Sequence, residues 1–302
     1  MTNKKTVEVI IIGGSYAGLS AAMALGRSLR EVLIIDSGQP CNRQTPHAHN
    51  FLTQDGQTPA TIAAKGKTEL LAYRHVNFIE ATAVKGRKLA DSFSITTDNG
   101  DEFFAKKLIF ATGIKDILPR IDGFSACWGI SIVHCPYCHG FELKGKKTAI
   151  LANGERAFHL SSLVHNLTTD LKIITSGKAD FNPDQWDRLR KHDIEVIEDS
   201  ITNVVHTDGQ ISNIELDSGR TLALEALYAA LPFIQHSAIP VALGCELNEN
   251  GYINVDGLHK TSVDGVYACG DNTNMMRSLA NAVYTGNLTG AIVNRDLTEE
   301  EF

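Results

Sequence analysis

Within the stretch ISIVHCPYCHGFELKG, Cys135 and Cys138 stand at C-x-x-C spacing, with His134 and His139 directly outside them. Two thiols at that spacing serve as half of a metal site, as a structural staple, or as a redox pair. A zinc site needs a second pair of ligands at similar spacing, and the sequence has none. Histidines immediately beside the cysteines rarely turn into the same tetrahedron, so the expectation is a redox pair and no metal. Pro136 presets φ for the first turn of a helix, which puts Cys135 at or before that turn. The helix dipole and a nearby imidazolium would both favour the thiolate. His139 titrates near neutrality and suits the transfer of a thiol proton. Cys135, Cys138 and His139 are therefore the candidate catalytic residues. His134, His47 and His49 read as solvated or hydrogen-bonded, and Cys41, Cys127, Cys245 and Cys269 as small buried hydrophobes.

A redox pair needs an electron partner, and three glycine-bearing strand ends supply a place for one. The run VEVIII ends at Gly13-Gly14-Ser15-Tyr16-Ala17-Gly18, which keeps the outer glycines of G-x-G-x-x-G and puts Ser15 at the middle one. Such a turn brings bare backbone and a helix N-terminus to a pyrophosphate. Asp36 closes the next strand, EVLIID, where a carboxylate would take ribose hydroxyls. The second strand end is Ala111-Thr112-Gly113 in KKLIFATG, and the third is Gly270-Asp271 in GVYACGD. There the carboxylate suits ribityl hydroxyls, and a helix expected from Asp271 onward would stabilise negative charge on a reduced flavin.

The elements that must position these residues follow from periodicity. Strand 7–12, helix 17–30 and strand 31–36 form a βαβ unit with parallel strands, and residues 92–97 and 102–110 read as a hairpin turning at DNGD. A second βαβ pattern begins at Thr148 and continues through TAILANGERAFHLSSLVHNL to LKIITSG. EVIEDSITNVVHT, ISNIELDSG and TLALEALYAAL then read as strands, and 275–295 as a closing helix. The expected fold class is α/β with two Rossmann-like dinucleotide-binding domains. The chain has 302 residues, enough for two domains, and its net charge of −7 with no basic block argues against nucleic acid and anionic membrane as partners. The basic start precedes an apolar run too short for a signal peptide, and no stretch reaches a membrane span, so the expected location is cytoplasmic.

At these motifs the chain resembles, over essentially its whole length, the low-molecular-weight thioredoxin reductases. The resemblance implies an FAD domain built from 1–113 plus 236–302, and an inserted NAD(P)H-like domain over 114–235 carrying the C-x-x-C. It implies FAD held by Gly13, Gly14, Ser15, Ala17, Gly18, Asp36, Ser37, Asn50, Val84, Ala111, Thr112, Gly113, Gly270, Asp271 and Leu279. It implies further that Cys138 is the flavin-proximal sulfur, that Cys135 exchanges with a thiol or disulfide substrate, and that the protein is a homodimer. Two departures stand out. The inserted domain's turn reads Ala152-Asn153-Gly154-Glu155-Arg156-Ala157, without the first glycine, and Thr175-Ser176-Gly177-Lys178 stands where the family reads a 2′-phosphate with arginines. NADPH binding is therefore doubtful. His139 takes the place of the reductases' aspartate, and C-x-x-C-H-G is similar to the flavin dithiol oxidases, which pass electrons to oxygen. Three readings stay open: an NADPH-independent dithiol oxidase or disulfide oxidoreductase acting on a small dithiol or a thioredoxin-like protein, with O2 or another electron acceptor or donor; an NADPH-dependent thioredoxin reductase; and a flavin-binding redox sensor.

Overall fold

The computed structural model describes residues 5–302; part of the basic start discussed above lies outside them. In chain order, strand β1 (Thr6–Ile12) leads to helix α1 (Tyr16–Arg27), β2 (Val32–Asp36), α2 (Pro59–Leu70) and β3 (Val76–Glu80). Strands β4 (Ala83–Lys88), β5 (Phe93–Thr97), β6 (Glu102–Phe110) and β7 (Ile114–Asp116) follow. Next come α3 (Phe124–Cys127), β8 (Ile132–Val133), α4 (Pro136–His139), β9 (Thr148–Leu151), α5 (Gly154–Val164), β10 (Leu171–Ile174) and α6 (Pro183–Lys191). Strands β11 (Glu195–Ile197), β12 (Ile201–Thr207), β13 (Gln210–Leu216), β14 (Thr221–Ala223), β15 (Ala226–Ala229) and β16 (Phe233–Gln235) precede α7 (Ile239–Ala242), β17 (Val266–Ala268) and α8 (Leu279–Glu301).

The chain divides into two compact units. The first holds the residues up to Arg43, Phe51–Lys115 and Phe233–Phe302; the second holds Gln44–Asn50 and Asp116–Pro232. In the first, a sheet runs β3-β2-β1-β6-β5-β4, and β17 pairs with the far end of β6. Strands β1, β2, β3, β6 and β17 are parallel; β5 runs antiparallel to β6, and β4 antiparallel to β5. Near-continuous apolar runs suit strands covered on both faces, and Val9–Ile12 and Val32–Ile35 are 5% exposed or less. On one face, α1 packs against α8 through Ala17 and Ala21, opposite Gly286 and Gly290. A Cβ at either glycine would stand 2.1 or 2.4 Å from a carbonyl oxygen of α1, so only glycine allows this approach.

In the second unit, five parallel strands run β11-β10-β9-β15-β8, beside an antiparallel sheet β12-β13-β14. The mixed α/β class holds. Several boundaries differ from the periodicity reading. EVIEDSITNVVHT divides into β11 and β12, and TLALEALYAAL into β14 and β15. The closing helix begins at Leu279, not near 275, because Ser278 caps it by accepting from Asn281 N at 3.1 Å. Asn274 Oδ1 holds Met276 N at 2.9 Å and keeps the preceding residues in a turn. Asp271 therefore opens a loop and no helix.

Candidate active site

The first unit builds a cradle from its strand ends. Gly13 ends β1 at φ +103, and a Cβ there would lie 2.2 Å from Ala111 O; one on Gly18 would lie 1.8 Å from Gly13 O. Gly14 N donates to Asp36 Oδ1 at 2.8 Å, and Gly38 N to Oδ2 at 3.1 Å, so the carboxylate is fixed at the end of β2 with lone pairs to spare. Ser15 is the N-cap of α1, yet its side chain makes no capping bond, which leaves the first N–H groups of the helix to a ligand. Ala17, in the first turn, is buried against Gly270, whose φ is +83. Gly270 N donates to Thr285 Oγ1 at 3.1 Å.

Asn272, fully buried, joins two of the strand ends. Its amide donates to Phe110 O at 2.9 Å and to Thr112 Oγ1 at 3.2 Å, while its Oδ1 is buried with no protein partner. An acceptor so placed fits a group that donates to it. Together the tight glycines, the uncapped helix and the waiting acceptor fit an FAD, with Gly13–Gly18, Asp36, Ala111–Gly113 and Gly270–Asn272 as the residues that would hold it. Periodicity and motif reading missed Asn272 and Thr285; the only signal was an amide directly after Gly270-Asp271.

Other expected cofactor residues lie differently. Ser37 is exposed beyond the end of β2, and Val84, on β4, is 55% exposed. Asn50, at φ +58, groups with the second unit. Asp271 pairs with Arg277 at 3.9 Å, and Leu279 is the first residue of α8.

The C-x-x-C pair sits in the second unit. Cys135 is the N-cap of α4, and its Sγ accepts from Cys138 N at 3.3 Å. Both cysteines are half-buried. The helix spans only four residues, so its dipole gives the thiolate little help. No group of three or more metal-ligating side chains occurs among the described residues. Cys127, Cys245 and Cys269 are buried as expected, but Cys41 is exposed.

His139 follows on the last position of α4. Burial, the largest influence, pushes its pKa below the ordinary value; the Glu142 carboxylate raises it and His49 lowers it further. Burial thus favours the neutral ring, which suits a proton acceptor. His49 Nε2 lies 3.6 Å from Glu142 Oε1, and the His49 and His47 rings are 6.4 Å apart. The loop 44–50 thus brings two histidines to the redox unit, a juxtaposition that no local pattern announces. His134 points the other way, its ring 6.1 Å from that of Trp128.

Comparison with known proteins identifies the family. Residues 7–286 match the family described as pyridine nucleotide-disulphide oxidoreductase. Thioredoxin reductase aclD of Aspergillus oryzae is 31% identical, with 97% of each chain covered. Thioredoxin reductase tcpT of Claviceps purpurea is 29% identical, over 98% of this chain and 96% of its own. The crystal structure of a putative thioredoxin reductase, TrxB, from Bacillus anthracis superposes with a TM-score of 0.93 at 31% identity, covering 98% of this chain and 100% of that one. Among the described residues no helix is long and apolar enough to cross a membrane. The chain belongs to the pyridine nucleotide-disulphide oxidoreductases, and within them it is a thioredoxin reductase-like, flavin-dependent oxidoreductase of the thiol-disulfide kind.

Proposed function

We propose that the protein moves electrons between a thiol substrate and FAD through Cys135 and Cys138 without drawing them from NADPH. The start of α5 carries this reading. Asn153 Oδ1 accepts from Gly154 N at 2.8 Å and from Asp180 N at 2.9 Å, and its Nδ2 donates to Lys178 O at 2.9 Å. Where a pyrophosphate would rest on bare N–H groups, the chain's own segment 178–180 is tied across the helix N-terminus. Two carboxylates stand there as well. Asp180 faces Gly154, and Glu155, in the first turn, accepts from Gln185 Nε2 at 2.6 Å. The dipole that would attract phosphate already has acidic partners. Beyond β10, Thr175 Oγ1 donates to Gly177 O at 2.6 Å and Glu198 accepts from Ala179 N at 2.8 Å, so a third carboxylate stands where a 2′-phosphate would be read.

Bound flavin supplies a two-electron carrier; the thiol chemistry belongs to the chain. One sulfur of a substrate dithiol attacks Cys135 of the Cys135–Cys138 disulfide, and Cys138 leaves. The second substrate sulfur displaces Cys135, so the substrate is oxidised to a disulfide and the pair is reduced to two thiols. Neutral His139 takes a proton from the incoming thiol. A flavin held by Gly13–Gly18, Asp36, Ala111–Gly113 and Gly270–Asn272 would take the two electrons of the reduced pair and supply them to an acceptor such as oxygen, which becomes hydrogen peroxide. In the opposite direction, a donor other than NADPH would drive disulfide reduction. The relatives named as thioredoxin reductases favour a second reading, in which a thioredoxin-like protein meets Cys135 and NADPH is the donor.

Anaerobic titration of the yellow protein separates the two. Dithiothreitol is expected to bleach the flavin, NADPH to leave it oxidised, and air to restore the colour. Rapid stoichiometric bleaching by NADPH would overturn the proposal. The homodimer belongs to the same reading and is checked by light scattering.

A further inference from the structure

Tyr228 lies in β15, between β9 and the edge strand β8 of the second unit's parallel sheet, and is 1% exposed. Its hydroxyl has no hydrogen-bond partner among the described residues. Phenylalanine would fill the same space without burying a polar atom, so the hydroxyl is a cost in the state described and calls for a state in which it is used. Parallel pairing of β15 with β8 sets Tyr228 beside Val133, and the two share one core with Leu143 and Val164. Cys135 follows Val133 by two residues, on the segment that leaves this same strand end for α4. His134, between them, turns to Trp128, which belongs to a different core cluster.

Glu142 is negative, burial favours the neutral ring of His139, and His49 is engaged with Glu142. Cys138 N supplies one donor to the Cys135 sulfur. The phenol keeps its proton throughout the working range. Burial raises its pKa most, and negative charge on Cys135 and Glu142 raises it further, so it acts only as a donor.

We propose that Tyr228 is a positioning residue whose hydroxyl donates a hydrogen bond to the Cys135 sulfur when that sulfur is a thiolate. It thereby poises Cys135 for exchange and gives the buried hydroxyl a use. The inference rests on the reading of Cys135 as the exchanging sulfur. It does not depend on the electron donor.

The test uses the full-length, flavin-loaded protein in a Cys138→Ser background, with alkylation of Cys135 by iodoacetamide followed by peptide mass spectrometry across pH. Adding Tyr228→Phe is expected to raise the apparent pKa of Cys135 by about one unit, which lowers its alkylation rate about tenfold below that pKa. The melting temperature should hold or rise. An unchanged apparent pKa with Cys135 still reactive would overturn the role of Tyr228 alone. Failure to alkylate Cys135 even with Tyr228 present would bring down both the exchanging-thiol reading and this inference. Site-specific 3-fluorotyrosine at position 228 keeps the packing and strengthens the donor. It is expected to lower the apparent pKa, whereas a purely packing role predicts no change.

Discussion

The turn at Gly13–Gly18 and the turn at Ala152–Ala157 serve the same topological purpose, each joining a strand of a parallel sheet to a helix. At the first, glycines stand where any side chain would strike backbone, and the capping serine leaves the helix N-terminus bare. At the second, Asn153 caps the helix and also ties down segment 178–180, with Asp180 and Glu155 close by. A βαβ unit therefore keeps its fold whether or not it keeps its ligand. What differs is who meets the first N–H groups of the helix: no side-chain cap does so at the first turn, and Asn153 does at the second.

Substitution of one glycine in each turn should separate the two most widely. Gly18→Ala places a methyl 1.8 Å from Gly13 O. We expect protein purified without colour, its flavin content down at least about tenfold, since overpacking a rigid site costs about 1–3 kcal/mol and deforms it. Flavin retained at the normal level would break the comparison. Asp36→Ala should act less severely, freeing Gly14 N and Gly38 N and weakening flavin retention about tenfold, read by dialysis against flavin-free buffer. Gly154→Ala should be milder still. The nearest atom to the new methyl is 3.4 Å away, so the cost is the left-handed backbone at φ +59, about 1–2 kcal/mol of stability, with thiol-driven flavin reduction unchanged.

The smallest effect concerns pH. If the second unit keeps only thiol chemistry, the acid limb of turnover reports His139, whose pKa lies below the ordinary 6.5. Glu142→Gln removes an influence that raises it and should move that limb to still lower pH. Stability follows the same sign. Between the folded pKa and 6.5 the unfolded chain binds the proton more readily, so stability rises with pH across that window. A thermal melt series through that window checks it.

Local patterns made much of this legible before any coordinates. The parallel strands Thr6–Ile12 and Val32–Asp36 are continuous apolar runs, and Gly13, Gly18 and Asp36 stand at the spacing a nucleotide cradle requires. The N-capping position of Cys135 and the short helix behind it follow from C-P-x-C. What escaped depends on contacts between distant segments. Nothing near Asn153 in sequence says that it holds Lys178 and Asp180, and nothing near His49 says that it meets Glu142. Tyr228 reads as one more apolar strand residue until its hydroxyl is found without a partner. The helix at Asp271 was misplaced because Asn274 and Ser278 compete for the backbone through side-chain bonds that hydrophobic periodicity does not register.

The close meeting of α1 and α8 also bears on how the molecule comes into being. Ser20 on α1 donates to Val283 on α8 across 263 residues of sequence, and the glycines beside it admit no substitute partner. The second unit's main segment, Asp116–Pro232, leaves the ribosome well before α8 does. We expect the redox unit to take shape first, while the sheet of its neighbour waits with an apolar face exposed for the last helix to arrive. Gly286 and Gly290 would then govern the rate of the final closure as much as its strength.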